Sequence, residues 1–185
     1  MEHFFENIEG WFNSEDLYRE RVAVAEDGAR FVEIGAWKGR SAAFMAVEIA
    51  NSGKQIHFHV IDNFRGSEEH KEHECVRSRT LMQEFLQNML PVSGHHSTLV
   101  ADSAAAADYF ANASIDFCYI DAAHDYESVK RDILAWLPKM KPGATLAGDD
   151  YKFYPGVKQA VDEVLGPTAT GGMGDNVWRY TCPLI

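Results

Sequence analysis

The chain has 185 residues, 46% of them hydrophobic, with 28 acidic against 17 basic side chains and a net charge of -11. That is the size and composition of one globular domain able to bury its own core, and the acidity opposes binding to nucleic-acid backbones or anionic membranes. No apolar run is long enough to span a bilayer. The acidic start, "MEHFFENIEGWF", is unlike a signal peptide, and three cysteines without CxxC spacing fit a reduced, cytoplasmic setting.

In chain order, "NSEDLYRERVAVAEDG" predicts a helix capped by Ser14 and closed near Gly28, within an N-terminal helical segment 1–29. "RFVEI" (30–34) reads as the first strand. "SAAFMAVEIANSG" then predicts a helix that stops at Gly53. "IHFHVI" (56–61) is the second strand. The segment 64–93 is long for a crossover and predicts a lid in which substrate choice resides. Within it, "GSEEHKEHEC" carries His70, His73 and Cys75 at spacings that fit no metal-ligand set and reads as a solvated, mobile stretch. "STLVA" (97–101), "IDFCYI" (115–120) and "ATLAG" (144–148) complete five strands, and His57 and His59 alternate in the second as packed rather than catalytic residues. "DYESVKRDILAWLPKM" puts Val129, Ile133, Trp136 and Leu137 on one helical face. "GVKQAVDEVLG" does so with Val157, Val161 and Val164 or Leu165, and "NVWRYTCPLI" follows the turn "TGGMGD" as a last hairpin strand.

Apolar strands alternating with helices predict a single α/β domain over 1–185. It is a Rossmann-like three-layer sandwich whose mostly parallel sheet ends in an antiparallel hairpin strand. Ligands of such sheets bind beyond the C-terminal strand ends. Three features fall there. "EIGAWKGRS" carries Glu33, Gly35, Ala36, Trp37, Gly39 and Ser41 at a strand-to-helix turn, where glycines let a ligand approach the backbone and a helix N-terminus offers free N–H groups. Trp37 occupies the middle glycine position of the dinucleotide fingerprint, which counts against NAD; it lines the cofactor pocket or packs in the core. Asp62 ends strand two, 27 residues after Gly35, as a carboxylate able to accept both ribose hydroxyls of an adenosine ligand. Asp102 and Ser103 either bracket the adenine or cap the next helix.

"FVEIGAWKGRS", "VIDNF", "ADS" and "IDFCYIDAAHDY", in this order, resemble the motifs of class I S-adenosylmethionine-dependent methyltransferases, with the greatest likeness to small O-methyltransferases of the macrocin and catechol types. The resemblance covers about residues 30–155. It implies that Glu33, Gly35 and Gly39 cradle the methionine part of the cofactor and that Asp62 holds its ribose.

Asp121 ends strand four, and Asp149 and Asp150 end strand five. Three carboxylates drawn together repel one another and raise their own pKa values, and a hard divalent cation, Mg²⁺ or similar, would relieve them. The metal-dependent relatives carry an Asp and an acidic pair at these places, which implies a metal that chelates two neighbouring hydroxyls of a small-molecule acceptor: a sugar, polyol or phenol. His124 stands where the catechol type places its basic lysine, so Asp121 and His124 are the candidate catalytic residues. Asp125 is an alternative base or the cap of the helix that follows. Tyr151 and Tyr154 are placed to meet the acceptor. The resemblance further implies a longer N-terminal roof than the 29 residues before strand one supply, which makes a homodimer the source of the missing wall. The competing readings are a metal-independent methyltransferase and a nucleotide-binding module without catalysis.

Overall fold

The computed structural model of the chain describes residues 1–166, 170–171 and 176–184. Its elements are α1 (Glu15–Val24), β1 (Arg30–Ile34), α2 (Arg40–Ser52), β2 (His57–Asp62), α3 (Glu74–Arg77), α4 (Leu81–Met89), β3 (Ser97–Val100), α5 (Ser103–Ala106), β4 (Ile115–Ile120), α6 (Tyr126–Trp136), β5 (Met140–Gly148), α7 (Pro155–Leu165), β6 (Thr170–Gly171) and β7 (Trp178–Thr181). The seven strands lie in the order β3-β2-β1-β4-β5-β7-β6, parallel from β3 to β5, with β7 antiparallel to both its neighbours. The three-layer sandwich with a C-terminal antiparallel strand is therefore the fold. Of the glycine-rich turn, Gly172 to Asp175 lie outside the described residues.

Alternation along the strands divides the core into two. Phe31, Phe58, Phe117 and Tyr119 face α1, α2 and α4, while Val32, Ile34, Cys118, Ile120 and Leu146 face α6 and α7. Both layers are buried, which is why these strands read as continuous apolar runs rather than as alternating ones. Val129, Ile133 and Trp136 of α6 and Val157, Val161 and Leu165 of α7 turn inward as their spacing predicts. Asp132 is buried with them, donated to by Ser103 Oγ at 2.5 Å. No helix among the described residues is long and apolar enough to cross a membrane.

Three local expectations fail. Ser14 does not cap α1 with its side chain; its hydroxyl shares a 2.6 Å hydrogen bond with the buried Tyr119 phenol instead. The helix ends at Val24 rather than near Gly28. Nor is the stretch around His70 and His73 merely solvated. Both rings are half-buried, and His70 packs on Trp37 with ring centroids 4.5 Å apart. The segment 64–93 is not uniform: Leu81, Phe85 and Met89 of α4 are core residues, while Gly66, Ser67, Glu69, His70 and His73 border the clefts described below.

Strand register positions the site. Ile34 pairs with Ile61 and Ile120, and Ile120 with Gly148, so β1, β2, β4 and β5 end level. The ladder runs one step further: the amides of Gly35, Asp121 and Asp149 donate to Ile61, Ile34 and Ile120. The glycine loop, Asp121 and the Asp149–Asp150 pair must therefore start side by side, at the β1/β4 switch point where the strand order reverses.

Candidate active site

Gly35 has φ +85°, and a Cβ built on it would lie 1.9 Å from the carbonyl oxygen of Asp121. Glycine is needed there to let the first loop lie directly against the fourth strand's end. Two residues on, Trp37 adopts φ +48°, a left-handed conformation that costs a non-glycine residue about 1–3 kcal/mol. Asp150 (φ +68°) and Phe64 (φ +53°) do the same in the loops after β5 and β2. These three lie in loops at the C-terminal ends of the strands; Arg79 and Ala113, also at positive φ, lie elsewhere.

Two adjoining clefts open there. The smaller, about 240 Å³, is bordered by Asp62, Asn63, Asp102, Ser103, Arg131 and Asp132. The larger, about 530 Å³, is bordered by Trp11, Glu69, His124, Asp149, Asp150 and Tyr154, among others. Both share Gly35, Ala36, Trp37, His70, Asp121 and Ala122. Of the sequence-predicted residues, Ser41 lies in the larger cleft, and Gly39 borders neither; a Cβ on it would crowd Phe85 and Met89 of α4 at 3.1 Å.

Asp62 binds the glycine loop before it binds anything else. Its Oδ2 accepts from the amides of Ala36 (2.8 Å) and Trp37 (3.2 Å), and its Oδ1 from Phe64 (2.7 Å). A carboxylate has about four lone-pair sites, so capacity for a further donor remains. Asp102 caps α5 through the amide of Ala105 (3.1 Å) and pairs with Arg131 (3.0 Å), while still bordering the cleft. Glu33 lies beneath the loop, 1% exposed, accepting from Tyr18 (2.9 Å) and Ser41 (2.8 Å), and borders neither cleft. Burial raises its pKa to about 8, against the opposing pull of those two hydroxyls.

The three carboxylates do converge, and His124 sits among them. Its Nε2 lies 2.8 Å from Asp150 Oδ2 and 3.8 Å from Asp121 Oδ1, and its Nδ1 2.6 Å from Glu69 Oε1 in the β2–α3 connection. These contacts are close but poorly aligned as hydrogen bonds, so charge is what they exchange. Burial disfavours the charged ring, yet Asp121 and Asp150 outweigh it and push the His124 pKa up to about 10. Burial raises the Asp121 carboxyl as well, and with the charge of Asp121 it brings Asp149 to about 6. Asp150 goes the other way: burial resists its ionisation, but the His124 contact holds it below the usual carboxylate range.

Asp125 serves as the helix cap, its Oδ1 accepting from the amide of Ser128 at 3.0 Å. Tyr154 stacks on His124 with centroids 4.3 Å apart, whereas Tyr151 turns away to Asp162 (2.6 Å).

The donor set suits a hard cation. Among the described residues, one group has ligand atoms lying within 4.8 Å of one another: Asp121, His124 and Asp150. Asp149 is held apart from it, its Oδ1 accepting from the Asp150 amide (2.8 Å) and from Asn176 Nδ2 (2.6 Å). Sequence reasoning missed Asn176, which is 7% exposed and also reaches Asp150 Oδ1 at 3.2 Å. It missed Trp11, Asn13 and Glu69 too. The first two belong to a stretch, 10–13, by which the chain itself walls one side of the larger cleft.

A doubly wound α/β sheet of this order, with clefts at its switch point, has its ligand site where such sheets hold theirs. Residues 32–151 match the family model described as a methyltransferase domain, and the chain belongs to that family; it is an S-adenosylmethionine-dependent methyltransferase. No curated protein sequence matches it. Among solved structures it is similar to the O-methyltransferase NovP (18% identity, 91% of this chain and 79% of that one, TM-score 0.64). It is also similar to CalS11, a TDP-rhamnose 3′-O-methyltransferase of calicheamicin biosynthesis (17%, 91% and 76%, TM-score 0.61). A third is the O-methyltransferase TomG from Streptomyces achromogenes, solved with S-adenosylmethionine (15%, 91% and 77%, TM-score 0.58).

Proposed function

We propose that the chain moves the methyl group of S-adenosylmethionine to a hydroxyl of a small molecule carrying two neighbouring hydroxyls. The observation that carries this reading is the pair of clefts meeting at Gly35–Trp37 and Asp121, one bordered by Asp62, Asp102 and Ser103, the other floored by carboxylates and an imidazole. A nucleoside in the first would present its sulfonium methyl to an oxygen in the second. Three structurally similar proteins named as O-methyltransferases support oxygen as the acceptor atom.

In the transfer, a hydroxyl oxygen attacks the methyl carbon, the carbon–sulfur bond breaks with its electron pair going to sulfur, and the hydroxyl proton must leave. Held at fixed distance and angle, two bound reactants gain most of what such a displacement needs. A hard divalent cation on Asp121 and Asp150, with His124 or Asp149 completing the set, would supply charge that lowers the pKa of the hydroxyl to be methylated. His124, on the acceptor side, is the group placed to take the proton once the carboxylates no longer hold its own, and Glu69 on Nδ1 keeps the ring turned toward the cleft.

A second reading has its own observation. His124 already compensates the carboxylates, so the cluster could act without a metal, the imidazolium steadying the developing negative oxygen. The two readings part in one experiment. The purified protein is incubated with S-adenosylmethionine and vicinal-diol acceptors, with Mg²⁺ or with EDTA, and S-adenosylhomocysteine is quantified. Turnover lost in EDTA and restored by Mg²⁺ supports the metal; turnover equal in both removes it. No turnover with any hydroxyl acceptor, despite cofactor binding, would overturn the transfer to oxygen.

A further inference from the structure

Two hydrogen-bond donors of the larger cleft have no acceptor. The Nε–H of Arg40 and the indole Nε1–H of Trp37 are buried and unpaired, and both residues border that cleft. A buried donor without a partner is costly and rare, so each calls for a reason. The two also lie close together. A Cβ built on Gly10 would stand 3.3 Å from Trp37 Cδ1 and 3.9 Å from Arg40 Cδ, the carbons bonded to the unpaired nitrogens. Position 10 carries no side chain that answers them.

Charge points the same way. Arg40 is the one arginine or lysine bordering the larger cleft, where Glu69, Asp121, Asp149 and Asp150 are the acids. It pairs with none of them. Its Nη1 donates to the Ile8 carbonyl at 3.2 Å and its guanidinium stands 5.7 Å from the centre of the Phe5 ring. The smaller cleft's one arginine, Arg131, is by contrast already paired with Asp102 at 3.0 Å. A half-buried guanidinium without an acid, in a chain of net charge -11, is open to an anion from outside. The cover over it is removable. Gly10 belongs to a stretch, 9–13, that takes part in no backbone–backbone hydrogen bond. That stretch is held by the Lys38–Glu9 contact (2.7 Å) and by the ring contacts of Trp11 with Trp37 and His70.

We infer that Arg40, with Trp37 Nε1 beside it, is the receptor for a carboxylate entering the larger cleft. A carboxylate brings two acceptor oxygens and the missing charge, and a guanidinium fork matches it in shape. Two molecules can supply it: S-adenosylmethionine, whose sulfur bears an arm ending in an α-carboxylate, or an acidic acceptor. The cofactor has the shorter route, because Gly35, Ala36 and Trp37 border both clefts and the arm leaves the sulfur at their junction. That route rests on the nucleoside lying in the smaller cleft; the receptor itself does not depend on oxygen as the atom methylated.

The test is calorimetric, on the full chain, with S-adenosylhomocysteine and with 5′-methylthioadenosine, the same nucleoside thioether without the amino-acid arm. Wild type should bind S-adenosylhomocysteine at least tenfold more tightly. Arg40→Gln should cut that advantage about tenfold, the size of one charge-assisted hydrogen bond, while 5′-methylthioadenosine stays within twofold of wild type. Arg40→Lys, which keeps the charge and loses the fork, should recover part of the loss. A second arm adds glycerate or glyceramide to each protein saturated with S-adenosylhomocysteine, in EDTA so that neither chelates a metal. A preference for the acid that vanishes in Arg40→Gln, with the cofactor advantage intact, keeps the receptor and gives it to the acceptor. If neither preference moves in Arg40→Gln, the inference is overturned. It is also overturned if 5′-methylthioadenosine weakens as much as S-adenosylhomocysteine, since Arg40 would then only prop the glycine loop. Methyl transfer to a hydroxyl would stand in either case.

Discussion

The two clefts at the strand ends are built in opposite ways. The smaller cleft is tied together by backbone amides. Asp62, at the end of β2, binds the amides of the loop after neighbouring β1 and of its own turn, and Asp102 caps the helix it precedes. The larger cleft is assembled from distant pieces: Trp11 before the first helix, Glu69 between β2 and α3, His124 after β4, Asp150 after β5 and Asn176 before β7. The first cleft is fixed by backbone hydrogen bonds that come with the fold, the second by a web of charges and rings. That difference suits a constant cofactor beside a variable acceptor.

Substitutions can break the contrast or sharpen it. The largest effect is expected from Asp150→Asn, which keeps a residue tolerant of the left-handed backbone (φ +68°) but removes the charge facing His124. Turnover should fall about 100-fold or more in a steady-state assay, the scale of losing one charged group at a reacting centre. Next comes Asp62→Ala. Three loop amides lose their acceptor, so denaturant unfolding should show a loss of about 2–3 kcal/mol, accompanied by weaker cofactor binding. Asn176→Ala should be milder, lowering turnover about tenfold through a looser Asp149–Asp150 pair, with about 1 kcal/mol lost in unfolding.

The smallest effect concerns Glu33 and shows as a slope. Its folded pKa, about 8, lies above the ordinary 4.5. The unfolded chain therefore sheds that proton first as pH rises, and Glu33's contribution to stability is full below about 4.5 and lost as pH rises toward 8. Glu33→Gln, which cannot ionise, should flatten the decline of melting temperature over that window. An unchanged slope would mean that the carboxyl is ionised in the folded protein.

What the sequence made legible follows the same division. The strands stood out because both sheet faces are covered, making "RFVEI" and "IDFCYI" continuous apolar runs. Asp121 and the Asp149–Asp150 pair stood out because charges ending such runs need a partner. Their partner was harder to see. His124, read as a base from its spacing after Asp121, lies against Asp121 and Asp150, whose charges raise its pKa to about 10. Ser14 was misread because a serine before an acidic helix start is a good cap, and nothing local shows that Tyr119, 105 residues away, needs its hydroxyl. Trp11, Glu69 and Asn176 left faint signals: an aromatic pair in a polar stretch, one acid among many, and an amide after a glycine-rich turn. Only the folding of the chain gives those residues one address.

One titration tests the separation of the two clefts most directly. S-adenosylmethionine is added by calorimetry to the wild-type chain, to Asp62→Ala and to Asp150→Asn. The expected result is saturable binding to the wild type, binding within about twofold of it in Asp150→Asn, and at least tenfold weaker binding in Asp62→Ala. Cofactor affinity lost equally in Asp150→Asn, or retained in Asp62→Ala, would contradict the assignment of one cleft to the cofactor and the other to the acceptor.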